Sequence, residues 1–388
     1  MNEVGPRIVL GVTSPMSLTL MKGLPERLAD DGWDVNVVSA PGTVLEALGQ
    51  EGRVHVHAIP MSREPNLAGD IVALWRWWRY LGRVNPDILL VGTPKAGMLG
   101  ILAGWLSRVP VRIYHLRGLR LETARGVGRI VFRAVEVLTL FGATSTIAVS
   151  QSLKQRVSTL RLGRQSKIVV LGRGSSNGVD LEEFTSAETA SAADASTARL
   201  ALIGKVPVVG FVGRVHPDKG LDTLVAASAL LSARAVPHQL LIVGGADHPL
   251  AEAILGRLGS LEANVVLTGA VADARPFYRI MDVHCLPTLR EGFPNAILEA
   301  AASGVASVTT KVTGAMDAVM PGETGFLVEA QNGEALADAL QEALSDRDEL
   351  DRLARNARKW VVANYSRDRV QEALIDYLRR SVRTADVR

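Results

Sequence analysis

The chain has 388 residues, of which 47% are hydrophobic and 21% charged. That length exceeds what one core commonly fills, so two domains are expected, and the composition excludes a disordered or fibrous chain. Cys285 is the single cysteine, which excludes an intrachain disulfide and suits a reducing, cytoplasmic location. The formal net charge of +3 conceals a split: residues 1–180 hold 22 Lys and Arg against 13 Asp and Glu, while residues 181–388 hold 21 against 27. A basic half suits phosphorylated substrates or an anionic membrane surface, with a merely solvated face as the bland alternative. The basic residues lack the aromatic interleaving of RNA-binding sheets, so nucleic acid is not an expected partner.

Met1 to Arg7 run straight into a strand-like segment, without the pattern of a signal peptide. No apolar run reaches the roughly 20 residues of a membrane span; the richest, Ile71 to Leu81, is broken by Arg76 and Arg79. Short β-branched runs alternate with helical patterns. They fall at residues 7–12, 34–39, 54–60, 87–92, 111–115, 144–150 and 167–171, then at 207–213, 239–244, 264–269, 283–286, 306–309 and 325–328. Strands separated by helices at this spacing predict right-handed βαβ units in parallel sheets. Two series predict two doubly wound domains, 1–185 and 200–365, with an α/β fold.

In the first series, Leu74, Trp78 and Leu81 are expected to face the sheet and Arg76, Arg79 and Arg83 to face outward, as in an amphipathic covering helix. Interfacial docking of that helix is a secondary reading. The polar stretch Thr185 to Ala198 reads as the link between the domains. Helical patterns follow at 333–344 and 347–363, and a last helix, capped by Ser366, runs to about Arg380.

The most informative stretch is Glu291-Gly292-Phe293-Pro294-Asn295-Ala-Ile-Leu-Glu299. A loop must run through Gly292 and Pro294, and a helix must start near Asn295. A helix N-terminus offers free N–H groups and positive dipole to a diphosphate. Glu299, one turn in, could grip a ribose diol, and Glu291 would sit at the loop mouth.

With Leu298-Glu299-Ala300, this stretch resembles the signature of the retaining GT-B glycosyltransferases, family four in particular. Phe211-Val-Gly213-Arg214-Val-His-Pro-Asp-Lys219-Gly220 and Asn177-Gly178-Val179-Asp180 resemble two further segments of that family, in the same order. The resemblance implies a GT-B architecture, with two Rossmann-like domains facing a central cleft and the C-terminal helix, about 366–388, returning to the first domain. It implies a retaining, metal-independent hexosyltransferase that uses a UDP-sugar donor and needs no cofactor. Arg214, Lys219 and Glu291 carry the catalytic expectation. Breaking a sugar–phosphate bond builds negative charge on the leaving diphosphate, and preorganised cations that meet it supply the largest available catalytic contribution. Arg214 can fork onto two oxygens and Lys219 supplies a point charge.

The donor contacts implied are Gly213, Gly244, Gly269, Val271, Gly292, Phe293, Pro294, Asn295 and Glu299. The turn glycines could equally be structural. In the first domain Ser14 and Lys95, in loops after strand ends, are the candidates for substrate binding, though the Ser14 loop departs from the glycine pair common in the family. The resemblance implies His115 or Arg117 near the reacting sugar. The competing readings are a helix cap for Ser14 and a core histidine for His115, each the preferred one, and a solvated lysine for Lys95. Asp346-Arg347-Asp348 is the sole Asp-x-Asp and reads as a helix cap, so no metal site is expected. The resemblance is closest to bacterial capsule and exopolysaccharide enzymes, which implies a polyprenyl-diphosphate-linked acceptor and peripheral attachment to the membrane. Two rivals stay open: a nucleotide-sugar epimerase and a catalytically silent sugar-nucleotide-binding subunit.

Overall fold

The computed structural model describes residues 5–62, 66–185, 202, 204, 206–261 and 265–386. The chain divides into two compact units, Met1–Asn177 with Arg369–Arg388, and Gly178–Asp368. The expected link at 185–198 lies, beyond Thr185, outside the described residues.

The first unit holds strands β1 (Arg7–Gly11), β2 (Asp34–Ser39), β3 (His55–Ala58), β4 (Ile88–Gly92), β5 (Val111–Leu116), β6 (Ser145–Ala148) and β7 (Ile168–Val169). They form a parallel sheet in the order β3-β2-β1-β4-β5-β6-β7. The second holds β8 (Val208–Val212), β9 (Gln239–Val243), β10 (Val265–Gly269), β11 (Val283–Leu286), β12 (Ser307–Thr310) and β13 (Gly325–Val328), parallel in the order β10-β9-β8-β11-β12-β13. Strands such as Ile88–Gly92 and Val208–Val212 are buried at every residue, because helices cover both faces of each sheet and leave no side for polar alternation.

Each order reverses direction once, between β1 and β4 and between β8 and β11. At such a switch point the loops leaving adjacent strands diverge to opposite faces and open a crevice at the strand C-termini. That topology alone brings the loop after β8 beside the loop after β11, and the loop after β1 beside the one after β4.

Three details differ from expectation. In the helix Leu67–Val84 it is Trp77 that is buried, with Ala73 and Leu81, whereas Trp78 is 47% exposed. Trp77 sits four residues after Ala73 and four before Leu81, on the stripe that meets the sheet, and Gly11 of β1 makes room for its ring. The last helix runs Arg367–Asp386, past Arg380, because Leu374, Ile375 and Leu378 are held in the first unit's core and Val382 and Ala385 pack against it. Ser14 stands at the N-terminus of the 3-10 helix Pro15–Met21 but makes no side-chain cap; its hydroxyl meets that of Ser17 at 3.0 Å. Asp346 does cap, accepting from the Glu349 N–H at 3.0 Å.

Candidate active site

In the second unit, Gly213, Gly244 and Gly269 stand at the C-terminal ends of β8, β9 and β10. A backbone chain ties them: the Gly213 N–H donates to Val243 O at 2.9 Å and the Gly244 N–H to Gly269 O at 3.0 Å. Val271 follows β10 and packs against the core. After Gly213 comes Arg214, whose side chain is 59% exposed and ion-paired with Asp247. His216 accepts the Asp218 N–H on Nδ1 at 3.1 Å. Burial first lowers the His216 pKa, favouring the neutral ring that can accept. That bond starts the short turn Pro217–Lys219, which sets the direction of Lys219.

Lys219 meets Glu291 in an ion pair. Beside it Asp218 pairs with Arg290 at 2.6 Å, so two neighbouring residues of the β8 loop are clamped by two neighbours of the β11 loop. The clamp is reinforced: Leu289 N–H donates to Asp218 O at 2.7 Å, and the Thr288 hydroxyl reaches Asp218 O at 3.0 Å and Glu291 Oε1 at 3.3 Å. Gly220 allows this closeness. Its φ is +69°, and a Cβ there would lie 1.8 Å from Pro287 O.

From Glu291 the chain passes through buried Gly292, Phe293 and Pro294 to the helix Asn295–Ala302. Phe293 packs on Tyr365, ring centroids 5.3 Å apart, which fixes the loop. The Asn295 Oδ1 is buried without a hydrogen-bond partner. Glu299, on that helix, accepts from the Tyr278 hydroxyl at 2.9 Å. Burial first raises the Glu299 pKa, with the Tyr278 bond opposing. The structure thus gathers Lys219, Glu291 and Thr288 at one spot, and gives Arg214 and Glu299 separate partners. Among the described residues, no three His, Cys, Asp or Glu side chains group as a metal site would require.

In the first unit the loops after β1 and β4 are stitched by hydroxyls. Thr13 and Thr93 Oγ1 atoms lie 2.7 Å apart, and Thr13 Oγ1 also accepts the Ala96 N–H at 3.0 Å. Thr93 has φ +68°, an uncommon conformation for a β-branched residue and a cost that the surrounding bonds must hold. Lys95 is not a solvated lysine: its side chain is 11% exposed and lies 2.8 Å from Asp70.

His115 and Arg117 lie on one side of the chain, His115 Nδ1 and Arg117 Nη2 being 3.2 Å apart. Arg117 also donates to Leu20 O at 3.2 Å, while its Nε and Nη1 are buried without partners. His115 is 4% exposed. Burial, then the Arg117 charge, drives its pKa well below the ordinary value, so the ring is neutral and accepts. Burial lowers Arg117 to about 10, leaving it charged at neutral pH. His115 therefore orients Arg117, and Arg117 carries the unspent donors.

Several residues escaped sequence reasoning: Tyr278, His216, Arg290, the Thr13–Thr93 pair, and a buried Tyr114–Glu136 contact of 3.2 Å. Of these, His216 lies inside a motif and Arg290, Thr13, Thr93 and Tyr114 lie within two residues of candidate site residues, whereas Tyr278 and Glu136 carried no signal.

Two family models match the chain: one described as Glycosyl transferase 4-like domain over residues 20–174, and one described as Glycosyl transferases group 1 over residues 206–346. The chain is 36% identical over 365 residues, 94% of each chain, to a capsular polysaccharide biosynthesis glycosyltransferase of Staphylococcus aureus. It is 26% identical over 362 residues, 90% of this chain and 91% of the relative, to the Escherichia coli UDP-Gal:alpha-D-GlcNAc-diphosphoundecaprenol alpha-1,3-galactosyltransferase. Among solved structures, Anabaena HepE in complex with UDP and glucose matches with TM-score 0.76 and 21% identity, over 96% of this chain and 99% of that one. Sucrose-phosphate synthase of Thermosynechococcus elongatus matches with TM-score 0.79 and 22% identity, over 97% and 99%. The fold is GT-B.

Proposed function

The chain belongs to the group 1 glycosyltransferases, and from that premise we propose a retaining, metal-independent enzyme that moves a sugar from a UDP-sugar to a hydroxyl of a lipid-diphosphate-linked saccharide in surface polysaccharide synthesis. The observation that carries this reading is the clamp of Lys219 to Glu291 at the β8/β11 switch point.

A donor diphosphate placed at the helix Asn295–Ala302 would meet N–H groups that have no intrahelical partner. It would compete with Glu291 for Lys219 and with Asp247 for Arg214, so both cations pass to phosphate and both carboxylates are released. Glu291 is then left beside the sugar that the phosphate carries. Glu299 would take the ribose diol, with Tyr278 holding one of its oxygens. As the sugar–phosphate bond breaks, Lys219 and Arg214 stabilise the leaving charge in a site that needs no reorganisation. In a front-face displacement the leaving diphosphate oxygen takes the proton of the attacking hydroxyl, so the sugar keeps its anomeric configuration. Arg117, with two unspent donors, is the first-unit candidate for the acceptor's diphosphate; Lys95, held by Asp70, serves only if that pair opens.

The acceptor chemistry follows the two relatives above and the basic surplus of residues 1–180. A panel of nucleotide sugars, with and without a polyprenyl-diphosphate saccharide and with and without EDTA, tests it. Transfer from a UDP-sugar with α-product from α-donor, unaffected by chelation, is the expected outcome. An inverted product, or loss with EDTA and rescue by manganese, overturns the mechanism.

A further inference from the structure

The helices Leu67–Val84, Pro94–Leu106 and Gly126–Gly142 cross from β3 to β4, β4 to β5 and β5 to β6. The sheet runs in that same direction through these strands, so right-handed crossovers put all three on one face. They pack side by side as a layer, the middle one touching both others. One side of the layer lies on the sheet.

The other side is unusual. Fourteen of the twenty exposed large hydrophobic side chains among the described residues sit on these three helices. On the first, Ile71, Trp75 and Trp78 follow each other at helical spacing; Trp105 stands on the second, and Ile130 and Phe141, 77% exposed, on the third. Monomeric soluble proteins rarely leave such a collection in water. The exposed charges on the same helices are all positive: Arg76, Arg79, Arg83, Arg129 and Arg133. The Arg79 guanidinium sits 5.4 Å from the Trp75 ring centroid. Only two acids occur on these helices, and neither is among the exposed residues. Asp70 is spent on Lys95, and Glu136 is buried against Tyr114.

We propose that the outer face of this three-helix layer is a docking surface for an anionic lipid bilayer, with the tryptophans, Ile71, Ile130 and Phe141 entering the headgroup region and the arginines meeting lipid phosphates. Aromatic side chains with an apolar body, mixed with arginine and free of acids, match the chemistry of that interface. A second copy of the chain fits less well, because a two-fold contact would set this cationic face against itself. The surface stands on its own observations; it rests on the lipid-linked acceptor only for its purpose, which is to keep the enzyme where that acceptor lies. Apolar entry also separates it from a purely electrostatic attachment, which salt would undo.

The test is cosedimentation of the full chain with vesicles of phosphatidylcholine alone or mixed with phosphatidylglycerol, at low and high salt. Binding to the mixed vesicles, weakened but not abolished by salt, is expected. Trp75→Glu with Phe141→Glu should abolish it at both salts. Arg76→Gln, Arg79→Gln and Arg83→Gln should each weaken low-salt binding, roughly fivefold apiece for a residue near the surface. All variants should keep the parent's circular dichroism and its hydrolysis of UDP-sugar, since none of these residues belongs to the candidate active site. Unchanged vesicle binding in the Trp75→Glu, Phe141→Glu variant overturns the proposal. So does a parent that ignores vesicles but sediments as a dimer which that variant breaks. A parent that binds vesicles yet turns over no nucleotide sugar would sink the proposed function and leave the surface standing.

Discussion

Lys219 and Glu291 neutralise each other across 72 residues of sequence, and removing either leaves the other's charge without its partner. Lys219→Ala and Arg214→Ala should each cost about 2.7–4 kcal/mol of transition-state stabilisation, read as a fall of roughly 10²–10³ in kcat. Transfer at the parent rate by both variants would reject their role. The two glutamates should separate. Glu299→Ala removes a contact made equally in ground and transition states and should raise the donor KM, whereas Glu291→Ala should mainly lower kcat. Steady-state kinetics with the best donor distinguishes the two patterns, and equal, small effects would return the motif to a structural loop.

Glu136 offers a test that stands apart from activity. Burial raises its carboxyl to about 7, against an ordinary 4.5. The native state then holds a proton that the unfolded chain has lost between those values, so its contribution to stability falls as pH rises through about 4.5 to 7. Glu136→Gln should remove that penalty, by at most about 3 kcal/mol at pH 8, and the gain should vanish below pH 4.5. Melting temperatures of parent and variant at both ends of the range check the sign. At this scale the sequence displayed the residues whose chemistry needs a fixed local spacing, such as Arg214, Lys219, Glu291 and Glu299. Tyr278, Glu136 and the Thr13–Thr93 pair were hidden because their partners lie 21, 22 and 80 residues away, and no local pattern announces a tertiary hydrogen bond.

The helix Pro94–Leu106 rests on the first sheet through its glycines. A Cβ on Gly97 would stand 2.5 Å from the buried Tyr114 ring, and one on Gly104 would stand 2.7 Å from Leu89. On the neighbouring helix Leu67–Val84, a Cβ on Gly82 meets nothing within 4 Å. Identical substitutions should therefore act in opposite directions. Gly82→Ala should stabilise by up to about 1 kcal/mol through helix propensity. Gly97→Ala should destabilise by about 1–3 kcal/mol as the core is overpacked. Chemical denaturation of both settles it; a stabilised Gly97→Ala would mean that the sheet can retreat. Strand positions were legible because buried parallel strands are short, β-branched and regularly spaced. The faces of the Leu67–Val84 helix were not. With Trp75, Trp77 and Trp78 all available, periodicity pointed to Trp78 where Trp77 faces the sheet, because an outer face that is itself apolar blurs the contrast on which amphipathic reading depends.

For the whole molecule, two series of βαβ units were enough to anticipate two parallel α/β sheets, since handedness and connection length leave few alternatives. Less accessible were the particular contacts by which the last helix closes the first unit. Leu374, Ile375 and Leu378 complete a core begun by Ile8 and Leu10, and Gln371 donates to Lys22 O and Asn177 Oδ1, both at 3.1 Å. A chain truncated after Asp368 should lose the first unit's thermal transition, or show it at a lower temperature, while the second unit's transition persists in calorimetry. A single unshifted transition would refute this. The consequence reaches into biosynthesis. A ribosome delivers the second unit whole before it delivers Leu374, so the part begun first is finished last. Throughout that interval the seven-stranded sheet has an uncovered apolar flank, and this is the stage at which a nascent chain most needs a holding chaperone.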